Sequence, residues 1–236
     1  MTDRPHPSIR DKVVLLTGAT SPVGRALVRR FLDAGARLAL CVRRAESLID
    51  IEPMLAGRAA DTMIVPCDLR REENVVRMVH RVAQCFGRID VAVNAASISG
   101  PKLGIVEYPA EPWCNVTDTN LHGTYFVCRE VLPWMIRQHT GSIINITSAL
   151  TTTSQAQGGA CAVSQHAIEG LTKVLASELR DSGVRVNTVD IDEPTSHPGT
   201  AQADSGWTNA FLWLAGDESA ARNGEHIRAA DFARRA

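Results

Sequence analysis

Residues 13–31 constrain the fold of this chain more than any other segment. They begin with four apolar residues, 13–16, which is the length of a short buried strand, and from Gly24 onward apolar residues recur at helical spacing. A strand that turns directly into a helix leaves the first N–H groups of the helix unpaired, and with the helix dipole they form a site for phosphate groups. The segment therefore predicts a strand, a turn and a helix that bind a pyrophosphate. An ordinary strand–helix connection that happens to contain glycine is the alternative.

Small and polar residues dominate the turn of this unit, as expected where a backbone approaches phosphate groups closely. Pro22 suits the first position of the helix, although it removes one N–H donor from the turn. The residues that we predict to contact a dinucleotide here are Gly18, Thr20, Ser21, Val23 and Gly24.

Length and charge limit the classes of protein to which the chain can belong. Its 236 residues suffice for one large α/β domain, which we assign to residues 11–236 after a flexible leader of residues 1–10. A net charge of −1 gives no reason to expect a nucleic-acid partner. No signal-peptide pattern precedes Asp11, and no apolar run is long enough to span a membrane. We therefore expect a cytoplasmic protein with neither a nucleic-acid nor a membrane partner.

The six cysteines give no sign of a disulfide framework or a metal site. They form neither CxxC pairs nor the mixed cysteine and histidine spacing of zinc sites. We therefore expect buried, reduced thiols and no bound metal.

Strands and helices alternate along the rest of the chain. Short apolar runs predict further strands at residues 37–42, 63–65, 89–93, 142–147 and 184–189. Helical patterns occupy residues 46–55, 72–86, 113–135 and 159–181. Strands that alternate with helices form right-handed βαβ units. The sequence thus predicts an α/β fold with a doubly wound parallel sheet and helices on both faces.

Residues that follow the predicted strands should face the ligand of such a sheet. Arg43 follows the second strand and offers a cation for a 2′-phosphate, whereas Val42 cannot bind ribose hydroxyl groups as an acidic residue would. If a cofactor binds, this favours NADP(H) over NAD(H); a surface arginine without a ligand is the alternative. Asp68 follows the third strand and is placed either to accept a hydrogen bond from an adenine amino group or to cap the next helix.

Over residues 12 to about 228 the chain resembles the short-chain dehydrogenase/reductase family. The residues that carry the resemblance are residues 17–19, Gly24, Asp68, Asn94, Ala95, Trp113, Asn120, Ser148 and the segments 170–173, 185–187 and 211–224. The resemblance implies a single-domain Rossmann fold, with NAD(P)H lying across the strand ends and against the turn of Asn94 and Ala95. It also implies a homodimer or homotetramer formed through the helices near residues 110–135 and 159–181.

The resemblance carries the catalytic positions of the family over one by one. Ser148 matches the serine that orients and polarises the substrate carbonyl group, and Asn120 matches the asparagine that supports a proton relay. The family places an acid/base tyrosine thirteen residues after the serine, and Cys161 stands there in this chain. Four residues further it places a lysine that lowers the pKa of the tyrosine and binds the nicotinamide ribose; here that residue is Gln165.

Cys161 and Gln165 cannot perform the proton transfer of the family's pair. Gln165 has no charge with which to lower the pKa of a neighbour. A cysteine sulfur extends only about 3 Å from its Cα, against about 6 Å for a tyrosine oxygen, so the thiol stops outside the range of about 2.6–3.2 Å that proton transfer requires. Neither Lys173 nor Tyr125 is placed to replace the pair, and a Cys161 nucleophile with His166 as its base lacks a shared helix face.

These residues leave three hypotheses open. The first, which we favour, is a catalytically impaired protein that keeps a weakened NADP(H) site and acts as a dinucleotide sensor or as a subunit that pairs with itself or with an active relative. The second is an active NADP(H)-dependent oxidoreductase of a small carbonyl compound or alcohol that uses Ser148, Asn120 and solvent. The third is a scaffold that binds no nucleotide.

Overall fold

A seven-stranded sheet forms the centre of the molecule. The computed structural model describes residues 9–43, 49, 51–148, 156–191 and 206–233. Every strand pair is parallel, and the spatial order is β3-β2-β1-β4-β5-β6-β7. The strands are β1 (Val13–Thr17), β2 (Arg37–Val42), β3 (Thr62–Pro66), β4 (Val91–Asn94), β5 (Gly141–Ser148), β6 (Val184–Ile191) and β7 (His226–Arg228).

Helices cover both faces of this sheet. They are α1 (Pro22–Asp33), α2 (Glu52–Leu55), α3 (Glu72–Phe86), α4 (Ala110–Thr117), α5 (Gly123–Gln138), α6 (Gly159–Glu178), α7 (Asn209–Ala215) and α8 (Ala230–Ala233). A π-helical turn (Asp118–His122) joins α4 to α5. Side chains of α1 and α7 fill the core on one face, and side chains of α3 and α5 fill the core on the other. Strands β1, β2 and β4 are buried on both sides, which explains their continuous apolar runs.

The predicted fold class is confirmed: the sheet is parallel, doubly wound and covered by helices on both faces. The predicted helix at residues 113–135 is longer in the structure and consists of α4, the π-helical turn and α5. Of the predicted helix at residues 46–55, the structure shows α2; residues 44–48 and 50 lie outside the described residues. β7, which we do not predict, is a three-residue strand with a single apolar residue, Ile227, between His226 and Arg228.

The predicted leader of residues 1–10 is described only in part. Residues 1–8 lie outside the described residues, whereas Ile9 is fully buried and belongs to the core on the α1 side.

Within the described residues, no helix combines the length and apolar character needed to cross a bilayer.

Candidate functional site

A cavity of about 250 Å³ lies at the carboxyl ends of β1, β2 and β4. In the sheet, β1 lies between β2 and β4. The strands that follow β1 in the chain are first added on the β2 side, and from β4 onward they are added on the other side, so the strand order reverses at β1. A crevice at such a point is where open parallel sheets bind ligands. The residues that line the cavity are Gly18, Thr20, Ser21, Cys41, Arg43, Cys67, Asp68, Leu69, Ala95, Ala96, Ser97, Ile98 and Thr119.

The turn between β1 and α1 is packed so closely that two of its positions require glycine. Gly18 has φ of +68°, and a Cβ on it would lie 2.7 Å from the carbonyl oxygen of Ala95. A Cβ on Gly24 would collide with the carbonyl oxygen of Gly18. The turn therefore lies directly against the end of β4, and its backbone faces the cavity without side chains in the way.

Thr17 fixes the ends of β1 and β4 relative to each other. Its hydroxyl oxygen accepts hydrogen bonds from the backbone N–H groups of Ala95 (3.0 Å) and Ala96 (3.2 Å). The same hydroxyl donates to the carbonyl oxygen of Val93 at 3.4 Å. The sequence shows a polar residue at a strand end, but the hydrogen-bonding role of Thr17 could not be assigned from it.

The start of α1 has its own cap. The Ser21 hydroxyl oxygen accepts from the N–H of Gly24 at 3.0 Å, and Pro22 occupies the first helical position. Thr20 and Ser21 line the cavity, as does Gly18. Val23 and Gly24 do not line it: Val23 packs against the core on the α1 side, and Gly24 is buried beneath the turn. Both residues shape the turn, and their contact with a dinucleotide stays a prediction.

Arg43 and Asp68 line the cavity at the ends of the neighbouring strands: Arg43 directly follows β2, and Asp68 lies two residues after β3. Arg43 is exposed at the rim. Asp68 is held by Arg70, whose Nε and Nη2 donate to its two carboxylate oxygens at 2.9 and 2.7 Å. These hydrogen bonds from Arg70 lower the pKa of Asp68, and the positive charge of Arg43 adds to the effect. Asp68 is thus an ionised residue in the cavity wall, and both of its carboxylate oxygens already accept hydrogen bonds from Arg70.

Asn94 and Ala95, which the sequence places together in the site, have different surroundings. Ala95 lines the cavity. Asn94 is buried and donates to Asn145 Oδ1 on β5 at 2.8 Å, and Asn145 in turn donates to the hydroxyl of Thr172 on α6 at 2.9 Å. The carboxamide oxygen of Asn94 has no hydrogen-bond partner among the described residues. This network ties β4, β5 and α6 together behind the cavity.

Asn120 is fully buried in the π-helical turn. Its Oδ1 accepts from the N–H of Ile98 at 2.9 Å, and its Nδ2 donates to the carbonyl oxygen of Ile98 and to the hydroxyl of Ser164, both at 3.0 Å. The side chain therefore joins the segment after β4 to α6. In this structure its carboxamide acts as a positioning group, because its two donors and its oxygen are already engaged.

The positions of the missing acid/base pair lie on α6. Cys161 is buried in a small apolar cluster with Val116 and Ala160, and burial raises the pKa of its thiol. Gln165 is only 4% exposed, and its Oε1 has no hydrogen-bond partner among the described residues. Neither residue brings a charge to the end of β5, where Ser148 is half-buried.

The other candidates for acid/base chemistry do not form a site with Cys161. His166 is exposed, and its Nδ1 lies 2.9 Å from the carbonyl oxygen of Ala162 in the preceding helical turn, so it forms no dyad with the thiol. Lys173 is exposed further along α6. Tyr125 lies on α5 and is 41% exposed.

Tyr108 is the residue near these positions that the sequence analysis misses. Its ring lies against Gly159 at the start of α6, where a Cβ would collide with it, and packs edge-to-face on Trp113 at 5.7 Å between ring centroids. It also packs against the cluster that contains Cys161. Its hydroxyl is buried without a hydrogen-bond partner among the described residues. No periodic signal marks it, since it lies in the irregular segment between β4 and α4.

Comparison with known proteins agrees with this arrangement. The family model described as short chain dehydrogenase matches residues 12–193. The L-fucose dehydrogenase of Oryctolagus cuniculus is 34% identical over 178 residues, which is 75% of this chain and 61% of that protein. The 3beta-hydroxysteroid dehydrogenase 2 of Eggerthella lenta is 28% identical, and the match covers 95% of each protein. The chain thus covers less than two thirds of the first of these relatives and nearly all of the second.

Solved structures give the same result. A short chain dehydrogenase from Shigella flexneri, complexed with NADP, is 25% identical, and the match has a TM-score of 0.85 and covers 95% of this chain and 99% of that chain. An NAD+-bound xylitol dehydrogenase shares the fold at 24% identity and a TM-score of 0.83, covering 93% and 98% of the two chains. With its sheet order, its glycine turn and these similarities, the chain belongs to the short-chain dehydrogenase family.

Proposed function

We propose that this chain is an NADP(H)-binding member of the family that does not catalyse efficient hydride transfer, and that it acts as a binding or assembly subunit. The observation that carries the proposal is the pair on α6: a buried thiol at position 161 and an uncharged carboxamide at position 165. The proposal goes beyond what family membership implies, since the relatives compared above carry the names of dehydrogenases.

Dinucleotide binding is supported by the cavity at the ends of β1, β2 and β4. Gly18 and Gly24 leave the turn open for a pyrophosphate at the start of α1, and Ser21 caps that helix from the cavity side. Arg43 at the rim supplies a positive charge where the adenosine ribose of a dinucleotide would lie. The residues present therefore fit the cofactor, and the cation favours the form that carries a 2′-phosphate.

We expect impaired catalysis because the protein lacks an effective group for proton transfer to or from the substrate oxygen. A bound nicotinamide would donate or accept the hydride, and the protein must move a proton to or from the substrate oxygen. Ser148 can bind that oxygen, but burial raises the pKa of the Cys161 thiol and makes it a weaker acid, and the carboxamide of Gln165 does not titrate. Loss of a general acid or base lowers rates by about 10²–10⁴.

The assembly role is supported by apolar side chains on the outer surfaces of α5 and α6. Tyr125, Val163 and Val174 are 41%, 47% and 55% exposed. We propose that these surfaces join copies of this chain, or this chain and an active relative, in the cytoplasm. Light scattering of the purified protein should give the mass of a dimer or tetramer.

Two experiments test the proposed function. Isothermal titration of the purified protein with NADPH and NADH should show saturable binding, tighter for NADPH; titrations without heat for either nucleotide would refute the proposed binding. The double variant Cys161→Tyr/Gln165→Lys should then reduce carbonyl compounds at least a hundredfold faster than the wild type. Equal rates for the two proteins would show that the pair on α6 is not what limits catalysis.

A second function, that of an active NADP(H)-dependent oxidoreductase, is favoured by one observation. Tyr108 places a phenol against the first turn of α6, near the position where Cys161 stands. If this phenol serves as the acid, NADPH-dependent turnover by the wild type should fall at least a hundredfold in Tyr108→Phe. Tyr125→Phe, on the exposed surface of α5, is the matched control and should keep the wild-type rate.

A further inference from the structure

We propose that Cys41 and Cys67 form an oxidisable dithiol in the wall of the dinucleotide cavity, and that a disulfide between them prevents the cofactor from binding. The inference rests on the proposed dinucleotide site. It assigns that site a form of regulation that neither the fold nor the relatives indicate.

The two cysteines are brought together by the register of β2 and β3. Cys41 pairs with Val65 in the parallel ladder, and the N–H of Cys67 continues the ladder by donating to the carbonyl oxygen of Val42 at 2.8 Å. Because side chains alternate along a strand, Val65 and Cys67 face the same side as Cys41. All three lie in the core on the α3 side, and both thiols reach the wall of the cavity.

The two thiols affect each other's ionisation. The influence of each thiol on the other lowers the pKa of Cys67 and raises that of Cys41. Cys67 is therefore the thiol of the pair that ionises more readily. A thiol with a lowered pKa beside a second cysteine is the arrangement found in redox-sensing sites.

The other buried cysteines differ from this pair. Burial raises the pKa of Cys128 to about 12 and also raises that of Cys161. Neither of these two lines the cavity. Cys85 and Cys114 are exposed, so the expectation of buried thiols is wrong for these two; they serve as an internal reference for unselective oxidation.

The oxidant that we propose is a hydroperoxide. The Cys67 thiolate attacks the terminal oxygen, so an S–O bond forms, the O–O bond breaks, and the departing oxygen takes a proton and leaves as water or an alcohol. The Cys41 thiol then attacks the sulfenic acid on Cys67; the S–S bond forms and water leaves. The two thiols lose two electrons in total, the peroxide gains them, and a dithiol reductant reverses the reaction.

Access to the thiols and the effect of the disulfide both depend on the cavity. Cys41 and Cys67 are 2% and 4% exposed, so a small oxidant must reach them through the cavity, and a bound dinucleotide would block that path. Asp68 follows Cys67 directly, and Arg43 lies two residues after Cys41. A covalent bond between the sulfurs would pull the ends of β2 and β3 together and displace both charged residues from the adenosine end of the cavity.

Peptide mass spectrometry under non-reducing conditions tests the dithiol. After treatment of the purified protein with hydrogen peroxide, we expect a linked peptide containing Cys41 and Cys67, and we expect saturating NADPH to slow its formation at least tenfold. Cys67→Ser should abolish the linked peptide, whereas Cys85→Ser should leave it unchanged. Oxidation of Cys85 and Cys114 while Cys41 and Cys67 remain unlinked would overturn the inference.

Titration with NADPH tests the regulatory effect. Peroxide treatment of the wild type should weaken NADPH binding at least tenfold, and dithiothreitol should restore it; the affinity of Cys67→Ser should not respond to peroxide. A linked wild-type protein that binds NADPH as tightly as the reduced one would overturn the proposed regulation. Failure of reduced protein to bind NADPH would instead refute the proposed function, and the linked peptide would still decide whether the dithiol exists.

Discussion

Gly18 determines how closely the cofactor turn approaches the neighbouring strand. Its φ of +68° lies in the left-handed region, and the space of its missing Cβ is limited by the backbone of Ala95 and Ala96 at 2.7–2.8 Å. Backbone atoms cannot move aside as a flexible side chain can. The position therefore tolerates only glycine, for two independent reasons.

Replacing Gly18 with alanine should damage both stability and binding. Strain of this kind costs about 1–3 kcal/mol, and displacement of the turn should weaken NADPH binding at least tenfold. Gly57→Ala is the matched control, since Gly57 has φ of +75° but nothing lies within 4 Å of a Cβ there. It should lose only about 1–2 kcal/mol of unfolding free energy and keep its affinity. Equal NADPH affinities of the two variants in calorimetry would contradict the assignment of the turn.

Arg43 should decide which dinucleotide the protein prefers. Removing a cation that contacts a 2′-phosphate takes away a charge-assisted interaction that NADH never makes. We expect Arg43→Ala to weaken NADPH binding at least tenfold and NADH binding less than twofold, as measured by fluorescence titration. Arg81→Ala, an exposed arginine on α3, should change neither affinity. If Arg43→Ala weakened the binding of NADPH and NADH equally, the arginine would not be the residue that recognises the 2′-phosphate.

Asp68 should make stability depend on pH in one direction. Because Arg70 lowers the pKa of Asp68 in the folded protein, the ionised form stabilises the fold at pH values above the ordinary aspartate pKa of about 3.9. That contribution is lost as the pH falls through the lowered value. Urea unfolding should therefore show wild type more stable than Asp68→Asn at pH 6, with the difference shrinking toward pH 3. The difference should shrink in an Arg70→Ala background to the part that comes from the backbone N–H of residue 70 and the charge of Arg43; an undiminished difference there would contradict the role of the Arg70 side chain.

At the scale of elements, the π-helical turn and α6 depend on one buried carboxamide. Asn120 connects the turn to Ile98 and to Ser164 by hydrogen bonds of 2.9–3.0 Å. Without it the half-buried backbone N–H and carbonyl oxygen of Ile98 and the buried hydroxyl of Ser164 each lose a hydrogen-bond partner. The segment after β4 and the start of α6 would then no longer be held in position around Cys161.

Asn120→Ala should lower the free energy of unfolding by about 2–3 kcal/mol, because buried polar groups are left unpaired. Chemical denaturation followed by circular dichroism measures this change. Asn115→Ala, on the exposed side of α4, should change the free energy by less than about 0.5 kcal/mol. Equal stabilities of the two variants would contradict the positioning role of Asn120.

Sequence patterns predicted the elements whose burial is regular and failed where it is not. Strands β1, β2 and β4 are buried on both faces, and a continuous apolar run is the direct result. β7 is the opposite case: only its central residue, Ile227, is apolar, and the strand is held at the edge of the sheet by pairing with β6. In this strand, His226 Nδ1 lies 2.7 Å from Glu169 Oε1 on α6. No local sequence pattern reveals a contact between residues so far apart in the chain.

At the scale of the whole molecule, the sequence located the candidate site but not its internal hydrogen bonds. Strand ends in a parallel sheet must meet at one edge, which is why Gly18, Arg43, Asp68 and Ala95 could be assigned to one cavity in advance. Which atom pairs with which could not be predicted, since the commitment of Asp68 to Arg70 depends on side-chain geometry. Cys41 and Cys67 lie far apart in sequence, and only the strand register and the cavity lining show that they face the same site.

We propose that this member of the family keeps the site for its cofactor and has lost the group that moves the proton. The most direct test is steady-state oxidation of NADPH by the wild type against a broad panel of carbonyl compounds, measured beside Ser148→Ala. We predict that saturable binding of NADPH is accompanied by turnover no faster in the wild type than in Ser148→Ala. Rapid wild-type turnover that disappears in Ser148→Ala would contradict the account.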